Sequence, residues 1–297
     1  MMIPVLAGPT ASGKTSAAVE LAQVYPLEII SADAMMVYRG MDIGTAKPTL
    51  AERKAVPHHL IDVVAPNTAF NVADYVRLAE LAIEDVLERG KLPLIVGGTG
   101  FYIRALVQGL PTTPEVDEDV QAPLWERFEK EGLEPLHQEL LVKSPADAKR
   151  AQRNPRRVIR ALEILERTGK APSEFSMTKP AYSYKQLSLL PSLDVLEPRI
   201  EARTEAMFEA GLVAEVEGLL AQYDSFATAR QAIGYKEVMS YLAGELTLEE
   251  SKAAITLVTR QYAKRQRTWF RKVKESTRLE ALAADVLGEL REWLEPV

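Results

Sequence analysis

Residues 8–15 of the chain read Gly8-Pro9-Thr10-Ala11-Ser12-Gly13-Lys14-Thr15, which fits the phosphate-loop pattern of Gly, four free positions and Gly-Lys-Thr. A short buried strand is predicted directly before the loop at Ile3–Ala7, and a helix directly after it at 16–22. The glycines let consecutive backbone N–H groups turn toward an anion, and the positive end of the helix dipole points to the same place. Lys14 adds a charge for the outer phosphate oxygens, and Thr15 adds a hydroxyl ligand for Mg2+. We therefore predict that residues 8–15 bind a phosphate compound, although kinases, ATPases, GTPases and some transferases all share this loop.

Two further loops are predicted to meet the phosphate loop. A second strand at 27–33 ends in the carboxylate of Asp33, and a third at 93–96 runs into Gly97-Gly98-Thr99-Gly100. Because the carboxyl ends of parallel strands line the ligand crevice of a doubly wound sheet, the loops after these strands should converge. The predicted fold is α/β, with a phosphate-loop NTPase-like parallel sheet flanked by helices.

The character of the sequence changes near Thr112, where it becomes acidic, helical and interrupted by prolines. We predict a helical insertion at 112–183 within a core formed by 1–111 and 184–297. Asn154 is the predicted N-cap of an insertion helix that ends at Gly169. Core elements are predicted at 71–89, 187–193, 198–222, 228–241 and in a long helix opened by the capping box 247–250.

Composition excludes several classes of protein. The chain has 297 residues, of which 47% are hydrophobic and 26% charged, and it contains no cysteine. Disulfides, thiol catalysis and Cys-ligated zinc are therefore excluded. His58 and His59 are adjacent on an extended segment and point apart, so we interpret them as structural. No apolar run reaches the roughly 20 residues that span a membrane, and we expect a cytoplasmic monomer without a signal peptide or membrane contact.

Positive charge is concentrated in two stretches of a chain whose net charge is −6. Residues 149–160 contain six basic side chains and residues 260–274 contain seven, with no acidic side chain in either stretch. The rest of the sequence contains 23 basic and 42 acidic residues, which gives it a net charge of −19. A local positive surface on a negative body suits a polyanion that docks in one orientation. Arg260, Lys264, Arg267 and Arg271 are spaced to share one helix face, and a solvated face is the alternative.

Several segments, taken in order, resemble the tRNA dimethylallyltransferase family, also called tRNA isopentenyltransferases or IPP transferases. They are 8–15, the Asp33 segment, 38–48 (YRGMDIGTAKP), 57–62 (PHHLID), 97–100 (GGTG), 154–163 (NPRRVIRALE), 231–237 (QAIGYKE) and 260–266 (RQYAKRQ). Each segment alone is weakly specific, but together they run through nearly the whole chain.

The resemblance implies a core that binds dimethylallyl diphosphate with Mg2+ and a helical insertion that grips the anticodon stem of tRNA. It implies transfer of the dimethylallyl group to the exocyclic N6 amine of the adenosine 3′ to the anticodon, with release of diphosphate. Asp33 takes the family's general-base position, Thr99 that of the hydroxyl near the reacting centre, and Arg203 that of the arginine clamping the diphosphate. Together with the basic stretches, it implies that tRNA contacts Asp33, Ala34, Met35, Met36, Thr99, Arg156, Arg157, Arg160, Gly234, Tyr235, Lys236, Lys264, Arg265, Arg267 and Arg271.

The sequence departs from the family at the exit of the second strand. The family pattern there is Asp-Ser-x-Gln, whereas this chain has Asp33-Ala34-Met35-Met36. The hydroxyl and the amide are both missing, and Met36 can stack on adenine only through its thioether.

Alternatives remain for the site and for the whole chain. Asp33 also fits the Mg2+-binding carboxylate of an ATPase, and Arg203 also fits a solvated helix arginine. The chain as a whole also fits a nucleotide-dependent kinase or ATPase, or a phosphate-loop protein that docks RNA without transfer chemistry. Prenyl transfer to free adenine nucleotides is disfavoured because a small substrate needs no second positive surface.

Overall fold

The computed structural model describes residues 2–226, 228–280 and 286–295. The chain forms two compact units, one made of Met1–Val107 with Ala181–Val297 and the other of Gln108–Pro180. The sequence predicts the insertion at 112–183, and its contact with tRNA stays a prediction.

Six parallel strands form one sheet in the larger unit. They are β1 (Ile3–Ala7), β2 (Leu27–Ser31), β3 (His58–His59), β4 (Leu92–Gly97), β5 (Tyr184–Leu189) and β6 (Ser276–Leu279). Their order is β3-β2-β4-β1-β5-β6, with all neighbouring pairs parallel. The prediction of a parallel α/β core is confirmed. β3 and β6 were not predicted, because β3 is two residues long and β6 is a partly exposed strand of mostly polar sequence.

Thirteen α-helices lie in the described ranges. They are α1 (Lys14–Leu21), α2 (Leu50–Ala55), α3 (Val72–Glu88), α4 (Gly100–Gln108), α5 (Glu118–Glu131), α6 (Leu133–Lys143), α7 (Pro145–Ala151), α8 (Pro155–Thr168), α9 (Leu193–Glu209), α10 (Leu212–Gln222), α11 (Tyr235–Leu242), α12 (Leu248–Arg271) and α13 (Val286–Leu294). Short 3₁₀ turns occupy Pro172–Glu174 and Thr228–Gln231. Across the part of the chain that the structure describes, no helix is both long and apolar enough to span a bilayer.

The caps of the long helices follow the sequence. Thr247 accepts the N–H of Glu250 at the start of α12, and Glu250 returns the bond, as the capping box predicts. Asn154 caps α8, which ends at Gly169 in the left-handed conformation. The single helix predicted at 198–222 is instead α9 and α10, separated by Gly211 at φ 97°. That backbone conformation is strained for residues with a Cβ and interrupts the helical run.

The sheet of the larger unit is covered on both faces. Along β1, Ile3, Val5 and Ala7 pack into one apolar cluster, while Leu6 packs into the other. This alternation is the two-residue period of a strand buried on both sides. The smaller unit has its own apolar core, built by α5 to α8.

A buried carboxylate, Glu28 on β2, links three other elements of the larger unit. It accepts hydrogen bonds from Arg89 after α3, from Lys91 before β4 (2.8 Å) and from His59 Nε2 on β3 (2.7 Å). Its neighbour His58 donates from Nδ1 to the carbonyl of Val56, and burial lowers the pKa of His58. In the described residues no cluster of three or more metal-ligating side chains forms. Both histidines therefore make contacts within the fold, and their structural role stays a prediction.

Candidate active site

One cavity of about 710 Å3 opens at the carboxyl ends of the central strands. Its wall includes the phosphate loop from Thr10 to Ser16, residues 33–36 after β2, residues 97–99 after β4, and side chains from α9 and α12. The predicted convergence of the loops after the first three predicted strands is therefore observed.

The phosphate loop is shaped by backbone conformations that require small residues. Gly13 adopts φ 84° as the N-cap of α1, and Ala11 adopts φ 62°. A Cβ on Gly8 would lie 2.5 Å from the carbonyl oxygen of Leu189 on β5. Gly8 and Pro9 lie outside the described cavity wall and support the loop, whereas Thr10 to Thr15 face the cavity.

Lys14 is held inside its own loop. Its ammonium donates to the carbonyl of Pro9 at 2.6 Å and to Ser12 Oγ at 3.3 Å. Burial, which outweighs the opposing attraction of Asp33, and the charge of Arg203 together lower the pKa of Lys14 to about 7. A phosphate group at this position would supply a negative charge next to the ammonium and so offset the loss of solvating water.

Asp33 is anchored by one oxygen. Its Oδ1 accepts the backbone N–H groups of Met35 at 2.9 Å and Met36 at 3.3 Å. The other oxygen has no hydrogen bond within the part of the chain described. The turn therefore orients the carboxylate and leaves one oxygen able to accept a proton.

Thr99 lies against the same turn. Its N–H donates to the carbonyl of Ala32 at 3.1 Å, and its Oγ1 accepts the N–H of Ala34 at 3.0 Å. The two loops approach so closely that a Cβ on Gly97 would lie 2.2 Å from the carbonyl oxygen of Ala32. Since the hydroxyl oxygen accepts this bond, its proton can be donated, and the Tyr262 hydroxyl lies within hydrogen-bonding reach of it.

Two arginines of α9 stand over the phosphate loop. Arg203 approaches Thr10 Oγ1 and Arg199 approaches the carbonyl of Ala11, each at 3.5 Å. Burial lowers the pKa of Arg203, and the charge of Asp33 opposes that shift. Arg203 is half-buried in the cavity wall, so it is not the solvated helix arginine that the sequence left as an alternative.

Gln266 and Tyr262 on α12 were missed as site residues. Gln266 is buried; its Oε1 accepts the N–H of Thr10 and its Nε2 donates to the carbonyl of Gly98, both at 2.8 Å. A Cβ on Gly98 would lie 2.4 Å from that Nε2. Burial and the charge of Asp33 raise the pKa of Tyr262 to about 12. The missed signal is the spacing of Gln266, three residues after the buried Ala263 and four before the buried Phe270.

Tyr235, predicted to contact tRNA, is fully buried instead. Its ring packs against Gly44, where a Cβ would lie 2.4 Å away, and its hydroxyl donates to Glu215 at 2.5 Å. Glu215 also accepts the N–H groups of residues 42–44. The prediction for Tyr235 is wrong because its side chain secures this loop, and Gly234 is buried beside it. Lys236 is exposed.

The basic side chains predicted on α12 fall into two groups, those bonded to other elements and those exposed to solvent. Arg260 pairs with Glu201 of α9, Arg271 pairs with Glu280 at 3.2 Å, and Arg267 donates to the carbonyl of Pro191 at 2.9 Å. The stretch 260–274 contains no acidic side chain, but Arg260 and Arg271 find carboxylate partners outside it. Lys264 and Arg265 are exposed, and Arg265 reaches the cavity wall.

The arginines of the smaller unit also include one that is bonded within the unit and two that are exposed. Arg160 binds the buried Glu163 at 2.6 Å and the carbonyl of Pro114, so its guanidinium is used within the unit. Arg156 and Arg157 are exposed in the first turn of α8. These two keep their prediction as phosphate contacts.

The residues at the departure from the family pattern all face the cavity. Ala34, Met35 and Met36 line it, and Ser31 Oγ lies 3.8 Å from the sulfur of Met36. The thioether therefore occupies the wall where the family pattern has an amide.

The profile of one protein family, described as IPP transferase, matches residues 36–273. The tRNA dimethylallyltransferase of Thermus thermophilus is 55% identical over 269 residues, covering 91% of this chain and 89% of its own. That of Deinococcus radiodurans is 48% identical over 275 residues, covering 91% and 90%.

Two solved structures give the same result. The tRNA isopentenylpyrophosphate transferase of Bacillus halodurans superposes with a TM-score of 0.73 at 39% identity, covering 98% of this chain and 95% of its own. A eukaryotic dimethylallyltransferase acting on tRNA superposes with a TM-score of 0.79 at 29% identity, covering 98% and 77%. This chain belongs to the IPP transferase family.

Proposed function

We propose that this chain transfers the dimethylallyl group of dimethylallyl diphosphate to the N6 amine of the adenosine 3′ to the anticodon of tRNA. The observation that supports this proposal most directly is a single site. One cavity is lined by the phosphate loop, Arg203, Thr99 and Asp33, whose carboxylate is anchored through one oxygen and free at the other. A carboxylate here would also suit a kinase or ATPase, and membership of the IPP transferase family favours prenyl transfer over that alternative.

The phosphate loop and α9 supply the charge for the leaving group. As the bond from C1 of the allylic group to the diphosphate oxygen breaks, its electron pair leaves with diphosphate. Lys14, Arg203 and the loop N–H groups stabilise that charge by fixed electrostatics. Cavity-lining Ile200, Met207, Ile233 and Ile255 supply apolar surface for the prenyl group.

Asp33 takes the proton. The exocyclic amine of adenine is a weak nucleophile, since its lone pair is delocalised into the ring. The new bond joins N6 to C1, and the N6 proton passes to the free oxygen of Asp33 as the bond forms. The hydroxyl of Thr99 can donate to the oxygen that C1 leaves.

Mg2+ fits the donors of this cavity. It binds through one or two oxygen ligands of a protein together with substrate phosphates, so it needs no cluster of carboxylates. The hydroxyl of Thr15, in the wall with Asp33, supplies such a ligand. When bound, the ion neutralises charge on the diphosphate.

The RNA substrate must present an unstacked base. A side chain inside a cavity reaches N6 only if the nucleotide is flipped out of the anticodon loop. The exposed basic residues Arg156, Arg157, Lys264 and Arg265 are our candidates for phosphate contacts.

The test is incubation with dimethylallyl diphosphate, Mg2+ and unmodified tRNA, followed by mass analysis of the nucleosides. We expect N6-dimethylallyl adenosine in tRNA and free diphosphate in equal amounts. RNA-stimulated ATP hydrolysis without prenyl transfer would instead identify an ATPase.

A further inference from the structure

A second depression lies on the exposed side of α12, outside the site described above. It has a volume of about 450 Å3 and is lined by Gln261, Lys264, Arg265, Thr268, Trp269 and Lys272. We call it the α12 groove. Three of the six lining side chains are cationic and none is acidic, on a chain whose net charge is −6.

The cations of the α12 groove form no ion pairs with other parts of the described chain. Within the described residues, Lys264, Arg265 and Lys272 make no ion pair, whereas Arg260 and Arg271 on the same helix do. Their charge is therefore uncompensated by carboxylates, which is the condition for binding an anion.

An aromatic surface adjoins these cations. The guanidinium of Arg104 lies 5.2 Å from the ring centroid of Trp269 and 5.3 Å from that of Phe101. Phe101 is 45% exposed, although a large aromatic side chain normally packs inside. Here the exposed ring of Phe101 and the half-buried ring of Trp269 lie beside cations. Such a surface binds unpaired nucleotides, by charge on the phosphate and stacking on the base.

The α12 groove also meets the cavity. Arg265 lines both, and the indole of Trp269 packs against Gly100, directly after Thr99. An RNA strand that places one base in the cavity therefore has its neighbouring nucleotide within reach of the α12 groove.

We propose that the α12 groove binds the unpaired nucleotide next to the target adenosine, with its phosphate at Lys264 and Lys272 and its base on the Phe101–Arg104–Trp269 stack. This rests on the proposed function. It assigns recognition of the flanking nucleotide to α12 and α4, separate from the chemistry at Asp33.

The first test compares two neighbouring cations of equal charge. Binding of an anticodon stem-loop RNA is measured by fluorescence anisotropy over a salt series. Lys272→Ala should lower the slope of log affinity against log salt by about 0.7, the value for one contact to a single strand. Arg271→Ala, whose side chain is paired with Glu280, should leave the slope unchanged. Equal effects of the two variants would overturn the proposal.

The second test pairs Phe101→Leu with RNAs that lack a single base. With intact RNA the variant should bind about tenfold more weakly, within the range for one stacked base. With an abasic site at one nucleotide flanking the target adenosine, wild type and variant should bind equally. A loss that persists at every abasic position contradicts base stacking, as does no loss at all. Prenyl transfer by the wild-type protein is measured on the same RNA, so failure of the groove and failure of the proposed function give different results.

Discussion

At Asp33 one carboxylate oxygen is fixed by the N–H groups of Met35 and Met36, while the other is free. Asp33→Asn keeps an oxygen for those two bonds but cannot take a proton. We expect the single-turnover rate of prenyl transfer to fall by roughly 10² to 10⁴, the usual contribution of a general base. The affinity for tRNA should change little.

A metal-binding role for Asp33 predicts a different result for the same variant. Activity should then recover partly at high Mg2+, and diphosphate should bind more weakly. Rate and diphosphate affinity are therefore measured together across a Mg2+ series. Near-normal single-turnover chemistry in Asp33→Asn would remove Asp33 as the base.

The pKa of Lys14, about 7 in the free protein, makes diphosphate binding dependent on pH. A bound anion stabilises the ammonium and raises its pKa, so binding takes up a proton wherever free Lys14 is neutral. Affinity should fall as pH rises above 7, by up to tenfold per pH unit, and depend little on Lys14 below pH 6.

Calorimetry in two buffers of different ionisation enthalpy measures this proton uptake directly. Inorganic diphosphate also binds protons, so the relevant quantity is the difference between wild type and Lys14→Arg. The arginine stays charged at all pH values used. At pH 8 wild type should take up close to one more proton than Lys14→Arg; equal uptake by the two proteins contradicts the prediction.

At the level of elements, α12 joins the two halves of the cavity. Gln266 accepts from Thr10 in the phosphate loop and donates to Gly98 after β4. Gln266→Glu keeps the acceptor but loses the donor, so the link to Gly98 becomes a repulsion between oxygens. Displacement of reacting groups by about 1 Å costs around 10² in rate.

We therefore expect Gln266→Glu to lower the single-turnover rate between tenfold and a hundredfold, with tRNA affinity retained. Gln23→Glu, an exposed position after α1, introduces the same charge and should leave the rate unchanged. A rate in Gln266→Glu equal to wild type would show that the two loops hold their positions without this bridge.

What the sequence could predict is what neighbouring residues determine. The phosphate loop, the continuous apolar strand β1 and the capping box of α12 are local patterns, and all three are found. Gln266 could not be assigned in this way, because its partner Thr10 is 256 residues away. The same holds for Arg260, whose partner Glu201 is 59 residues away on another helix.

In the larger unit, Glu28 is a buried charge that ties β2 to β3, to α3 and to the start of β4. Glu28→Gln leaves Arg89 and Lys91 without their carboxylate and places an amide where three donors converge. Removing one partner of a buried pair costs 3–5 kcal/mol. Since Arg89 and Lys91 are partly exposed, we expect a loss of about 3 kcal/mol in the free energy of unfolding at pH 7, measured with denaturant.

The pH dependence of that loss separates the charge of Glu28 from its shape. Burial on its own raises the pKa of Glu28, but hydrogen bonds from Arg89, Lys91 and His59 outweigh it and lower the pKa to about 2. The stabilisation is therefore complete above the unfolded pKa of about 4.3 and is lost as pH falls toward 2. Wild type and Glu28→Gln should converge in stability over that interval.

Asp85→Asn, which removes an exposed partner of Arg89, is the control and should cost less than about 1 kcal/mol at pH 7. A difference between wild type and Glu28→Gln that stays constant from pH 7 to pH 2 would mean that packing, and not the carboxylate charge, sets the cost.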